Sequence, residues 1–122
     1  MLADDDEDDR FLFREALELL DTNVECLMVR DGTEMLAILN SDYFSLPDYI
    51  FLDLNMPLTD GPECLHLIKK EPRFKKCRVV LYSTTIEKIT GESLLNAGAF
   101  AYFVKPAGPA ALAAKLQEVC CL

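Results

Sequence analysis

The sequence predicts an α/β domain: one doubly wound, five-stranded parallel sheet with helices on both faces. Three observations carry that expectation. Apolar runs of strand length alternate five times with segments of helical periodicity. The third and fourth runs, Tyr49-Ile50-Phe51-Leu52 and Arg78-Val79-Val80-Leu81-Tyr82, are nearly continuous in apolar side chains, as parallel strands covered on both faces are. The connections between units are short, which suits βα crossovers. Five strands are too few to close an eight-stranded barrel.

The elements follow in order. The first strand is short: Met1, Leu2 and Ala3 precede a run of acids, where a strand of about 5–6 residues is usual. A helix is expected over about 8–20, with Leu12, Phe13, Ala16, Leu17, Leu19 and Leu20 on its buried side. Phe11, Arg14, Glu15 and Glu18 fall on the opposite side, which makes Phe11 an aromatic on a polar face. The second strand is expected over Val24–Val29 and the next helix over 32–40. After the third strand, Pro57 and Gly61 punctuate a loop that leads into a helix over 61–70. The fourth strand is followed by a helix over about 86–97, whose Thr90 and Gly91 lower its helix propensity. Ala101–Val104 form the fifth strand and 108–120 the last helix.

The 122 residues suit one domain. Apolar residues at 51% and charged residues at 27% fit a globular core and argue against disorder. No apolar run approaches the roughly 20 residues that span a bilayer, so membrane insertion is not expected. The net charge is −9, and Asp4-Asp5-Asp6-Glu7-Asp8-Asp9 account for most of it; without those six, 15 acids stand against 12 bases. So acidic a chain disfavours direct nucleic-acid binding. Its start runs straight into acid, unlike a secretory signal. Five cysteines, an odd number with no Cys-x-x-Cys pair, are expected as free thiols in a cytoplasmic protein.

In an open α/β sheet, ligands bind beyond the carboxyl ends of the strands. Asp4-Asp5 follow the first strand, Asp53 the third, Ser83-Thr84 the fourth and Lys105-Pro106 the fifth. Three carboxylates, a hydroxyl and an ammonium thus gather at one edge. Converging carboxylates repel one another unless a cation joins them, and hard oxygen ligands suit Mg²⁺. A carboxylate also serves as a nucleophile that forms an acyl phosphate. Attack on a phosphoryl group needs its spread negative charge neutralised, which a cation, a lysine and a hydroxyl accomplish.

The loop after the third strand reads Asp53-x-Asn55-Met56-Pro57-(x)3-Gly61, and the fifth strand reads Tyr102-Phe103-Val104-Lys105-Pro106. With Asp4-Asp5 before them, Ser83-Thr84 between them, and spacings of 30 and 52 residues from Asp53 to Ser83 and Lys105, the sequence resembles the receiver domains of two-component response regulators. Within them it looks like the small stand-alone, chemotaxis-type receivers of bacteria. The resemblance covers essentially the whole chain. It implies a flavodoxin-like strand order of 2-1-3-4-5. It implies that Asp53 is the phosphoacceptor, that Asp5 ligates Mg²⁺ directly with Asp4 assisting, and that Asp53 and the Asn55 carbonyl complete the metal site. Ser83 and Lys105 then hold the phosphoryl group, and Tyr102 changes rotamer with Ser83 on activation. The Lys105-Pro106 bond is often cis in such domains. The implied donor is a histidine kinase or a histidine phosphotransfer protein. The implied output is a downstream protein bound by the face of helix 4, strand 5 and helix 5.

Plainer roles are expected elsewhere. Asp6 to Asp9 read as a solvated helix start, favoured there by the helix dipole. His66 reads as a helix-surface residue. Phe11 reads either as a randomly exposed apolar residue or as a docking contact for a histidine-containing partner. Two other functions fit part of the pattern. One is a receiver-like interaction module that is never phosphorylated. The other is a Mg²⁺-dependent small-molecule phosphohydrolase, which would want an acid where the chain has Asn55.

Overall fold

The computed structural model of the chain describes residues 1–21, 23–42 and 44–121. Strands β1 (Leu2–Ala3), β2 (Met28–Val29), β3 (Tyr49–Asp53), β4 (Arg78–Ser83) and β5 (Ala101–Val104) form one parallel sheet. Their order is β2-β1-β3-β4-β5, as the sequence implies. The helices between and after them are α1 (Glu7–Leu19), α2 (Gly32–Leu39), α3 (Gly61–Lys70), α4 (Lys88–Asn96) and α5 (Pro109–Cys120), with one 3₁₀ turn over Pro72–Phe74.

The pleat divides the strand residues between two cores. Ala3, Val29, Ile50, Leu52, Val79 and Leu81 pack with α2, α3 and α4 through residues such as Met35, Leu65, Ile68 and Leu94. Leu2, Phe51, Val80, Tyr82 and Phe103 pack with α1 and α5 through Phe13, Ala16, Leu112 and Leu116. Edge-to-face aromatic contacts knit the second core: Phe13 meets Phe51 at 5.2 Å and Tyr82 at 6.2 Å, centroid to centroid.

Three helices begin at an aspartate that accepts backbone N–H groups of the first turn. Asp6 caps α1, Asp31 caps α2 through Glu34 N, and Asp60 caps α3 through Glu63 N. No side chain caps α4, which starts two residues later than its pattern predicts. Two expectations need correction. β2 covers Met28–Val29 rather than Val24–Val29, because β1 is two residues long and offers partners only to Met28 and Val29. Leu19 does not join the buried side of α1 and is 59% exposed. At about 100° per residue it lies about 120° round the helix from buried Phe13 and only about 80° from Phe11.

Gly61 lets α3 start hard against the end of β3. A Cβ there would lie 2.6 Å from the Asp53 carbonyl oxygen and 3.0 Å from Leu54 Cα, both backbone atoms with nowhere to go. Gly61→Ala is therefore expected to cost about 1–3 kcal/mol of stability, measured by urea denaturation.

Candidate functional site

The pleat that builds the second core also builds the site. Asp4 stands two residues beyond Leu2, Asp53 two beyond Phe51 and Lys105 two beyond Phe103, and those three apolar residues share the face that α1 and α5 cover. The three charged side chains therefore leave the sheet on one side of its carboxyl edge. Asp4 is fully buried, and Asp53 and Ser83 are nearly so. Burial of this kind requires every polar atom to find a partner. Asp4 Oδ1 accepts the Asp6 N–H at 3.0 Å, and Asp4 Oδ2 accepts the Tyr82 hydroxyl at 2.5 Å. Lys105 Nζ lies 3.1 Å from that same Oδ2, 3.5 Å from Asp53 Oδ2 and 2.7 Å from Asp9 Oδ2. The ammonium also stands 4.7 Å above the Tyr82 ring. Asp53 Oδ1 accepts the Asn55 N–H at 3.3 Å, and the Asn55 side-chain amide donates to Ser83 Oγ at 3.4 Å.

Asp4, Asp5 and Asp53 each bring a carboxylate oxygen within 4.8 Å of the other two. Asp5 is exposed at the mouth of an open cleft of about 390 Å³, which Asp9, Asp53, Ser83, Thr84 and Lys105 also line. Burial, and next the charge of Asp4, push the Asp53 carboxyl up to about 7, against the pull of Lys105 and the Asn55 N–H. Burial alone would lower Lys105; the Asp9 hydrogen bond and the charges of Asp4 and Asp53 outweigh it and raise it above its ordinary value. The Tyr82 hydroxyl is raised by burial and then by Asp4, so it stays protonated and donates.

The structure thus brings together Asp4, Asp5, Asp53, Asn55, Ser83 and Lys105. It places Tyr102 apart, on β5, with its ring laid against Gly91 of α4: a Cβ on Gly91 would fall 2.2–2.7 Å from three ring carbons. Phe11 is 57% exposed on α1, and His66 is exposed on α3. The Lys105-Pro106 bond is trans. Asp6 is a helix cap, as expected of the acidic run, but Asp9 is not merely solvated, because it pairs with Lys105. Tyr82 and Asp9 are the two site residues that the strand-end pattern misses. Asp9 lies in the first turn of α1, where helical side chains tilt back towards the helix start and so towards the strand end.

Over residues 1–117 the sequence matches the family model of the response regulator receiver domain. The chain belongs to that family, whose members serve two-component phosphorelay signalling. It is 34% identical over 89 residues to the response regulator Rcp1 of Synechocystis sp., an overlap of 70% of this chain and 60% of that protein. Among solved structures, it superposes on the phosphorylated cyanobacterial phytochrome response regulator RcpA with a TM-score of 0.82, at 34% identity, covering 97% of this chain and 87% of that one. The Mn²⁺-bound form of Rcp1 gives a TM-score of 0.82 at 25% identity, covering 96% and 89%. The chain spans less than two thirds of the length of the curated relatives it matches first. Among the described residues no helix is long and apolar enough to cross a membrane.

The raised Asp53 has a consequence for stability. Between 3.8 and about 7, folded protein holds a proton on Asp53 that the unfolded chain has released. Stability contributed by this group therefore falls as pH rises through that window. In EDTA, Asp53→Asn is expected to raise the melting temperature at about pH 8 by roughly 5 °C. At about pH 4.5 the gain is expected to shrink towards zero, as read by calorimetry.

Proposed function

We propose that Asp53 accepts a phosphoryl group from the phosphohistidine of a histidine kinase or histidine phosphotransfer protein, in a Mg²⁺-dependent reaction. The observation that supports this most is the convergence of a buried carboxylate, an ammonium, a hydroxyl and a three-carboxylate cluster in one open cleft. An Asp53 oxygen attacks phosphorus, the O–P bond forms as the P–N bond breaks, and the histidine nitrogen leaves with the electron pair. Lys105 and the Ser83 hydroxyl neutralise and hold the phosphoryl oxygens. Water later cleaves the acyl phosphate and returns Asp53.

The donor set fits a hard divalent cation: all three clustered ligands are carboxylate oxygens, and a cleft open to solvent leaves room for water and phosphate oxygens. Both oxygens of Asp4 are already engaged, by Asp6, Tyr82 and Lys105. Asp5 and Asp53, with the Asn55 carbonyl, would therefore hold the ion directly, and Asp4 would act from behind. When bound, Mg²⁺ supplies positive charge beside the transferring group and keeps Asp53 ionised.

Ser83 ends β4 and Tyr102 lies on β5, in register with Leu81 two residues before it. Phosphorylation draws the Ser83 hydroxyl towards Asp53, and the Tyr102 ring responds in its place over Gly91. The uncapped α4 then biases between two arrangements. Ile89 of α4 at 80% exposure, with Val104 of β5 near half, gives the face of α4, β5 and α5 apolar area for a downstream protein. Exposed Phe11 lies on α1, the helix whose first turn borders the cleft, and is a docking contact for the histidine-bearing donor. Such a relay works in the cytoplasm, where thiols stay reduced, and all five cysteines are free.

Intact-mass spectrometry after incubation with acetyl phosphate and Mg²⁺ tests the chemistry. A gain of one phosphoryl group is expected, lost in EDTA and absent in Asp53→Asn; metal binding without any adduct from either acetyl phosphate or a phosphohistidine protein would refute it. Phe11→Ala is expected to slow transfer from a phosphohistidine protein several-fold relative to uptake from acetyl phosphate. An unchanged ratio would remove Phe11 from the docking surface.

A further inference from the structure

On the receiver reading of this site, we propose that Asp9 is a positioning residue for Lys105: it holds the ammonium on α1 and competes for it with a phosphoryl group on Asp53. The nearest carboxylate to Lys105 Nζ is not the one beside which a phosphoryl group would form. Asp9 Oδ2 lies at 2.7 Å and Asp53 Oδ2 at 3.5 Å. An ammonium has three N–H donors; it hydrogen-bonds Asp9, while Asp4 at 3.1 Å and Asp53 at 3.5 Å are ion-pair neighbours. A phosphoryl group on Asp53 therefore competes with the Asp9 bond for the ammonium.

Asp9 is the carboxylate that depends most on Lys105, and it makes the shortest contact with the ammonium. Asp4 has the Tyr82 hydroxyl and the Asp6 N–H besides Lys105, and Asp53 has the Asn55 N–H. Among the described residues, Lys105 is the one side chain that pairs with the Asp9 carboxylate. Asp9 is also fixed in place. Its backbone N–H is tied to the Asp6 cap at 3.3 Å, and the next residue, Arg10, donates from Nη1 to the Asp4 carbonyl at 2.8 Å. That clamps the first turn of α1 onto the end of β1. The pair is largely shielded, with the Lys105 side chain 12% and the Asp9 side chain 25% exposed. A charge-assisted bond so sheltered is stronger than a free surface pair. Whatever Asp9 contributes to Lys105 in the resting protein is subtracted from the binding of a phosphoryl group, since only differential interaction moves such an equilibrium.

The test is the affinity of the Mg²⁺-loaded protein for beryllofluoride, a stable phosphoryl stand-in, measured by titration calorimetry. Asp9→Asn is expected to bind it about three- to tenfold more tightly. Asp8→Asn, the same charge change on an exposed neighbour, is expected to match the wild type, and Asp9→Glu to restore weaker binding. A direct charge effect of Asp9 is separated by a double-mutant cycle. In the Lys105→Gln background, Asp9→Asn is expected to change nothing. An equal gain in both backgrounds, or no gain over Asp8→Asn, overturns the proposal. Acylation of Lys105 by acetic anhydride, mapped by mass spectrometry, reads the tether without phosphoryl chemistry and is expected to rise at least about twofold in Asp9→Asn. If the wild type binds no beryllofluoride, or Asp53→Asn binds it equally, the receiver reading itself fails. The competition then falls with it, and the labelling shows whether Asp9 still tethers Lys105.

Discussion

The fold is organised around one costly group, the fully buried carboxylate of Asp4. A charge removed from water must be paired and hydrogen-bonded or it is lost to protonation or unfolding. Three partners meet that demand from three parts of the chain. The Asp6 N–H comes from the helix cap, the Tyr82 hydroxyl from β4, and the Lys105 ammonium from beyond β5. Arg10 adds a bond to the Asp4 carbonyl. Each partner is in turn constrained by Asp4. Tyr82 must present its ring to the core that contains Phe13 and Phe103 and its hydroxyl to the edge. Lys105 must stay charged while mostly buried, which its three neighbouring carboxylates enforce. Removing the Lys105 ammonium would leave Asp4 an uncompensated buried charge, a loss of about 3–5 kcal/mol in comparable pairs.

The same arrangement explains why Asp53 is poised. Burial raises its carboxyl, and the charge of Asp4 adds to that. One lysine cannot neutralise three carboxylates, so the cluster carries an excess of negative charge at an open cleft. On the proposed reading, that excess would attract a cation, and the cation would admit a phosphoryl anion. Gathering the acids gives up stability, a trade common at functional sites.

Most of the fold and the principal site were legible in the sequence because both rest on the same apolar runs. The unbroken apolar stretches that mark β3 and β4 as strands buried on both faces also mark where they end, and a polar group at each end stands out against them. Asp4, Asp5, Asp53, Ser83 and Lys105 are visible for that reason. What stayed hidden depended on distance through space rather than position along an element. Tyr82 reads as one more apolar strand residue, and its hydroxyl gains meaning only when β1 places Asp4 beside it, 78 positions away. Asp9 reads as one of six acids in a row, and no local signal separates it from Asp8. The helical phase that turns Asp9 inward is set by where Asp6 caps α1. The extent of β2 and the exposure of Leu19 were misjudged because composition fixes neither the length of a neighbouring strand nor how far round a helix the sheet reaches.

The slot between α4 and β5 shows the same economy at the other end of the domain. A glycine in the middle of a helix costs about 1 kcal/mol relative to alanine, and α4 has no side-chain cap to offset it. Gly91 is nonetheless required there, because the Tyr102 ring occupies the space a Cβ would take. The helix is thus weak for a packing reason, and the weakness lies against the one aromatic side chain that bridges α4 and the strand next to Ser83. On the proposed reading, a displacement of Ser83 at the end of β4 would act on this ring, which borders the exposed apolar face of α4 and β5, so the glycine that weakens α4 would lie on the path from the acidic edge to that face.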